Sequence, residues 1–241
     1  SKMYPTLDIW VNDLYTPLVI FWQQLQEKGV EMRDFLASLK TIHENEDKCR
    51  ILFNSSKGHI NDDSASNFVK ACAFYIVNKC SFSGLTESSS FSKQASVSNF
   101  SMRGIEKLPG YSEIISHWHI NQYSYEYLMR EKVHDGIFMY LDPPYDIKDN
   151  LYGKKGSMHK GFDHDKFAED CSQSKIDQLI SYNSDQLVKD RFTGLQWKAA
   201  EFDLTYTMRS VGEYMKEQQT RKELLLFNYE TSVESMEVCT G

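Results

Sequence analysis

Residues 137–141 read IFMYL, an unbroken apolar run, and the next four residues are Asp142-Pro143-Pro144-Tyr145. An apolar run of that length, without polar alternation, predicts a strand buried in a parallel sheet. Two prolines cannot extend a central strand, because each removes a ladder donor, so the strand must end at Leu141. In an open α/β sheet the ligand crevice lies outside the carboxyl ends of the strands. The tetrapeptide therefore falls where such a fold places its chemistry. Asp-Pro and Pro-Pro are also common turn dipeptides, so the four residues alone leave a plain turn as the lesser alternative. The surrounding pattern has to decide.

That pattern alternates strands with helices. Residues 7–12 (LDIWVN) read as a strand, followed by helices over about 14–28 and 30–43 with apolar residues at helical spacing. Residues 44–60 read as a polar connection, and Asp63-Ser64 as the N-cap of an apolar helix over 68–78. From 81 to 101 the chain is rich in Ser with Phe at intervals, which predicts a loop or irregular hairpin. Beyond it come a helix at 111–116, a strand at 117–120 and a helix at 125–130. After the tetrapeptide, a Gly/Lys-rich loop over 146–161 leads to helices near 165–174 and 185–192 and strands near 178–182, 202–208 and 223–229. The fold class this predicts is α/β, with the mostly helical residues 24–105 as an insertion into a sheet-bearing domain formed by 1–23 and 106–241.

Bulk properties remove several function classes. Hydrophobic residues make up 41% of the 241, enough for a proper core, and no apolar run approaches the roughly 18 residues of a membrane helix. The start lacks the basic and apolar regions of a secretion signal. Five cysteines without a CxxC pair fit reduced thiols in a cytoplasm-like compartment better than a disulfide framework or a zinc site. His117 with His119, and His159 with His164, are the His pairs that invite a metal reading, and packing or surface roles fit that spacing better. A net charge of -7 argues against a nonspecific coat on nucleic acid, while leaving room for one local basic face.

The tetrapeptide has its own chemical logic. The exocyclic amine of a nucleobase is a poor nucleophile, because its lone pair is delocalised into the ring. A carboxylate (Asp142) and a backbone carbonyl (Pro143) can both accept hydrogen bonds from that NH2 group, aiming its lone pair at an electrophile. Pro143 and Pro144 stiffen the backbone, so both acceptors are held in place before the reaction. Tyr145 can stack on the base once it leaves the duplex.

FMYLDPPYD resembles the catalytic motif of the Dam-like DNA adenine-N6 methyltransferases. Three other segments resemble that family in its order. VNDLYTPLV (Val11–Val19) is similar to the strand end whose acidic residue, here Asp13, binds the cofactor ribose. NKCSFSGL (Asn78–Leu85) is similar to the segment before the DNA-contacting hairpin, and RKELLLFNY (Arg221–Tyr229) to the last strands. The resemblance implies a Rossmann-like S-adenosylmethionine-dependent methyltransferase sheet with a helical target-recognition insertion. It also implies S-adenosylmethionine as cofactor, adenine in double-stranded DNA as substrate, base flipping, no metal, and the cytoplasm of a bacterium or of a virus-infected cell. A restriction-modification setting belongs to the same expectation.

Two departures qualify it. The family opens with a strand and a Phe-x-Gly-x-Gly loop against the cofactor's methionine part, whereas glycine is absent here before Gly29. A fragment, missing residues, or a catalytically silent DNA- or partner-binding remnant all remain open. After residue 120 the family tends to place an acidic residue near the cofactor adenine; here Gln122 and Tyr123 occupy that stretch, and an amide can still bond adenine. For DNA, the resemblance and composition point to Phe82, Ser83, Lys93 and Arg103 in the Ser-rich stretch, and to Lys154 and Lys155, with Lys148 and Lys160, in the loop after the motif. Plain solvated loops fit the same composition. A cytosine-N4 amine, or an RNA or protein amine, would suit the same tetrapeptide; the NKCSFSGL segment favours adenine.

Overall fold

The computed structural model describes residues 4, 6–81, 89–131, 136–145, 161–204 and 221–231. They form two compact units that divide between Tyr125 and Glu126.

In the first unit a short strand, β1 (Trp10–Asn12), leads into the long helix α1 (Thr16–Ile42), which has Pro17 in its first turn. Proline is favoured there because the first helical N–H groups have no intrahelical partner. The two helices expected over 14–28 and 30–43 are one element with a kink at Lys28 (φ -134°, ψ 37°). Its cause lies on a neighbour, α6 (Leu108–Ile115). The Ser112 hydroxyl donates to the Gln26 carbonyl at 3.0 Å, the acceptor that a straight helix reserves for the N–H of Val30. Gly29 makes that approach possible, since a Cβ there would sit 2.4 Å from Ser112 Cβ. Gln26 in turn donates to the carbonyls of Ile115 (2.6 Å) and Trp118 (2.8 Å), closing the end of α6.

The stretch expected to be a polar connection is instead α2 (Glu46–His59). Cys49, Leu52, Phe53 and Ser56 are buried at helical spacing, Asn45 accepts from the N–H of Lys48, and Glu46 and Asp47 occupy the first turn. Polar residues between those four positions hide the periodicity. Helix α3 (Asn67–Cys80) is capped by Ser66, not by Asp63-Ser64; Asp62 and Ser64 form a local turn before it. Ser81 bridges Phe91 in antiparallel fashion, as an irregular hairpin would, and short helices α4 (Lys93–Ser98) and α5 (Met102–Ile105) follow. Leu25, Met32 and Leu36 of α1 pack with Phe53, Ile76, Phe100 and Ile105 in one buried core. Strand β2 (His119–Asn121) then pairs parallel with β1, Val11 opposite Ile120.

Helix α7 (Tyr125–Glu131) starts at the division, and the second unit holds a four-stranded sheet. Its strands are β3 (Phe138–Leu141), β4 (Asp177–Asn183), β5 (Lys198–Leu204) and β6 (Arg221–Phe227), in the order β3-β4-β6-β5. The first pair is parallel and the other two are antiparallel. Helices α8 (His164–Gln173) and α9 (Gln186–Arg191) flank β4 in sequence, each capped by an aspartate, Asp163 and Asp185. Gln178, Ile180 and Tyr182 of β4 are buried on one face. There Tyr182 meets Phe167 and Phe192, and Gln178 donates to the Cys171 carbonyl at 3.0 Å. The expectation of a fully buried β3 fails: Phe138 is 52% and Tyr140 59% exposed. Among the described residues β3 is the edge strand of its sheet, and Phe138 and Tyr140 lie on the one face of it that is left exposed.

Candidate functional site

Each unit ends its parallel strands in a fixed polar arrangement, and the expected site residues divide between them. In the first unit, the carboxyl ends of β1 and β2 gather Asp13, Gln122 and Tyr123. The N–H of Asp13 donates to the Asn121 carbonyl (3.4 Å), and Asp13 Oδ1 accepts from the N–H of Tyr15 at 2.7 Å. Asn12 grips Tyr123 from both sides, its Oδ1 accepting from the Tyr123 N–H (2.7 Å) and its Nδ2 donating to the Tyr123 carbonyl (2.8 Å). Gln122 Nε2 donates to Thr16 Oγ1 at 2.7 Å and to the Leu14 carbonyl at 3.2 Å. The β1–α1 turn is thus clamped by side chains from the segment after β2.

This geometry leaves particular groups to meet a ligand. The surrounding polypeptide strips water from the Asp13 carboxyl and raises its pKa above the ordinary value, against the pull of the Tyr15 and Leu14 N–H groups. The Gln122 amide nitrogen is committed to the turn, which leaves its carbonyl oxygen as the group able to accept. The Tyr123 ring is 42% exposed. On the same strand pair His119 stacks on Trp10 (centroids 4.5 Å apart), with its Nε2 2.9 Å from an Asp8 carboxylate oxygen. His119 therefore has a packing role.

In the second unit, Asp142 directly follows β3 and is exposed, Pro143 is buried, and Pro144 and Tyr145 are half-buried. The Tyr145 hydroxyl donates to Glu223 Oε2 at 2.6 Å. Burial comes first, and the Glu223 carboxylate second, in holding the Tyr145 hydroxyl well above the usual phenol range. It stays protonated and donates. Glu223 itself is buried at the start of β6. Sequence reasoning missed Glu223. The only signal available was a charged residue placed directly before the apolar run Leu224–Phe227.

Of the expected DNA-contacting residues, Lys93 lies at the start of α4 and pairs with Glu46 at 2.7 Å. Arg103 is exposed on α5. Phe82, Ser83, Lys148, Lys154, Lys155 and Lys160 lie outside the described residues, as does His159. Among the described residues no group of three or more His, Cys, Asp or Glu side chains stands close enough to hold a metal, and no helix is long and apolar enough to cross a membrane.

Comparison with known proteins agrees with the family resemblance. No curated protein matches the chain. The D12 class N6 adenine-specific DNA methyltransferase family matches residues 3–208, most of its length and both units. A mixed α/β chain with a mostly helical first unit and an Asp-Pro-Pro-Tyr strand end therefore belongs to the D12 class N6 adenine-specific DNA methyltransferases.

Proposed function

We propose that this chain methylates the N6 amine of a target adenine flipped out of duplex DNA, with Asp142 and the Pro143 carbonyl as the amine's acceptors. The observation that carries the assignment is the placement of Asp142-Pro143-Pro144-Tyr145 at the carboxyl end of the parallel strand β3, in a chain of this family. An exposed carboxylate beside a buried proline gives one acceptor that reaches outward and one fixed in the backbone. Both bond to hydrogens of the amine, which turns its lone pair out of the ring plane and toward the methyl donor. Preorganisation of this kind lowers the barrier, because the acceptors need not reorient as charge develops on nitrogen. Tyr145 offers its ring to the extruded base.

The donor set of the first unit fits the nucleoside end of S-adenosylmethionine. Ribose hydroxyls need an acceptor, and Asp13 is a carboxylate at a strand end; the adenine edge needs an acceptor for its amine, and Gln122 presents a carbonyl oxygen. None of the glycines that the structure describes follows a strand, so the residues that would hold the methionine end are not assigned. Bound, this cofactor supplies an electrophilic methyl group on a sulfonium. We further assign the parallel strand pairs to a Rossmann-like sheet, residues 24–105 to target recognition, and Lys93, Arg103, Phe82, Ser83, Lys154 and Lys155 to DNA contact.

Incubation with labelled S-adenosylmethionine and unmethylated duplex DNA, followed by mass spectrometry of the bases, tests the proposal. N6-methyladenine is expected, falling about a thousand-fold in Asp142→Ala. Label on cytosine, RNA or protein instead of adenine, or an unchanged rate in Asp142→Ala, would overturn it.

A further inference from the structure

Glu223 is a charged residue that the methylation chemistry does not use, and it is buried, with 4% of its surface exposed. Taking a carboxylate out of water is costly unless bonds replace the water, and an apolar residue on an inner strand position would be cheaper. Such a residue needs a partner that only it can serve. Its carboxylate accepts from the Tyr145 hydroxyl at 2.6 Å, across 78 positions of sequence. Tyr145 follows β3, the edge of the order β3-β4-β6-β5, so its side chain crosses β4 to reach β6. On the way it passes Ser181 of β4, whose hydroxyl acts against the rise in the pKa of Tyr145. Ser181 pairs with Leu225, and Glu223 lies two residues from Leu225, so Ser181 and Glu223 are diagonal neighbours on one face of the sheet. The tyrosine hydroxyl is thereby held as a donor to the inner strand β6.

We infer that Glu223 is a positioning residue: it fixes the ring of Tyr145 in the orientation that receives the flipped adenine, and so acts on catalysis without touching substrate. This rests on the reading in which Tyr145 stacks on the target base. Two acceptors aimed at an amine are useful only if the base plane is fixed relative to them, and the tetrapeptide backbone alone leaves the tyrosine free to rotate about its own χ angles. A carboxylate two strands away removes that freedom, while the prolines fix the chain on the near side. The raised pKa of the hydroxyl keeps the tether a donor throughout the neutral range.

Single-turnover methylation of a duplex carrying the target adenine, with the affinity for S-adenosylmethionine measured separately, tests the tether. Both are read in Tyr145→Phe, Glu223→Gln, Glu223→Leu and the Tyr145→Phe/Glu223→Leu pair. Tyr145→Phe keeps the ring and removes only the hydroxyl. The rate is expected to fall about tenfold in Tyr145→Phe and in Glu223→Leu, with no further fall in the pair and with cofactor affinity unchanged. Glu223→Gln, which keeps an acceptor oxygen, is expected to recover most of the rate. Wild-type rates in Tyr145→Phe overturn the inference, as does a loss in the pair equal to the product of the single losses. If Glu223→Leu does not fold, Tyr145→Phe and Glu223→Gln still decide. Tyr145→Ala separates the two layers: a fully active Tyr145→Ala defeats the stacking reading itself. An inactive Tyr145→Ala beside an active Tyr145→Phe defeats the tether alone.

Discussion

The strand ends of the two units are held by opposite devices. At the end of β1 and β2, position is set by short-range bonds from side chain to backbone: Asn12 on Tyr123, Gln122 on Leu14, Asp13 on Tyr15. No one of them carries the arrangement, and each fixes the others. At the end of β3 the backbone is set by two prolines, and a long-range side-chain bond, Tyr145 to Glu223, crosses two strands. In the function proposed above, a binding surface for a flexible cofactor tolerates small shifts, so many weak clamps suffice. A reacting amine must meet its acceptors within a fraction of an ångström, which favours rigid backbone and a deep anchor. The difference predicts where damage will be graded and where it will be abrupt.

The largest effect is expected when the stiff element is loosened. Replacing both Pro143 and Pro144 with glycine leaves every acceptor atom in place but frees the backbone that carries them. The methylation rate at saturating substrates should fall about a hundred-fold, the penalty of losing alignment, while cofactor affinity changes little. Rapid-quench kinetics beside a cofactor-binding isotherm would measure both. An equal fall in affinity would show that the two strand ends are not as separate in role as their construction suggests.

Next in size is a change that reaches only the first unit. Gly29→Ala places a methyl 2.4 Å from Ser112 Cβ where α1 crosses α6, and the helices must part. A loss of about 1–3 kcal/mol is expected, the ordinary cost of forcing volume into a closed contact. Chemical denaturation would read it, and Gly29→Ala with Ser112→Gly should recover part of it. No loss in Gly29→Ala would mean that the crossing is looser than its geometry implies.

That glycine also marks the limit of what the sequence discloses. A lone glycine between helical segments reads as a break, and the reading of two helices was half right, because the break is a kink. Its cause, a serine hydroxyl more than eighty residues away, leaves no local trace. Helix α2 escaped because Asn54, Ser55, Lys57 and Gly58 dilute its apolar stripe into an apparent connection. The strand before Asp142 was legible, since an apolar run and two prolines state both its existence and its end. Its exposure was not, because burial depends on what neighbours supply. In the same way Asp142 announced itself and Glu223 did not: the first belongs to a contiguous motif, the second acquires meaning only from a tyrosine on another strand.

A smaller effect is expected from the clamps. Gln122→Ala removes two bonds to the β1–α1 turn, at 2.7 and 3.2 Å, in an exposed setting where water replaces them. Cofactor affinity should weaken about fivefold, with the maximal methylation rate nearly unchanged, since the remaining clamps still define the turn. Isothermal titration and saturation kinetics would show the split. A fall in maximal rate without a change in affinity would assign Gln122 to the chemistry and break the contrast drawn between the two ends.

The smallest effect, and the finest test, concerns the charge of Asp13. Its carboxyl binds its proton more tightly in the folded chain than in the unfolded one, because burial outweighs the bonds from Tyr15 and Leu14. As pH rises through the carboxylate range, the unfolded state gives up its proton first, so this group's contribution to stability falls over that window and is flat at neutral pH. Asp13→Asn keeps an oxygen acceptor for the Tyr15 N–H and removes the charge, so it should be as stable as the wild type or slightly more stable at pH 7. Its stability curve should lack that share of the decline as pH rises above the ordinary aspartate pKa. Thermal unfolding of both proteins across that window isolates the slope. A steeper decline in Asp13→Asn, or a clear loss of stability at neutral pH, would mean that the carboxylate is stabilised where it sits. With cofactor affinity measured on the same samples, weaker binding by a protein at least as stable would mark Asp13 as a residue kept for its ligand and not for the fold.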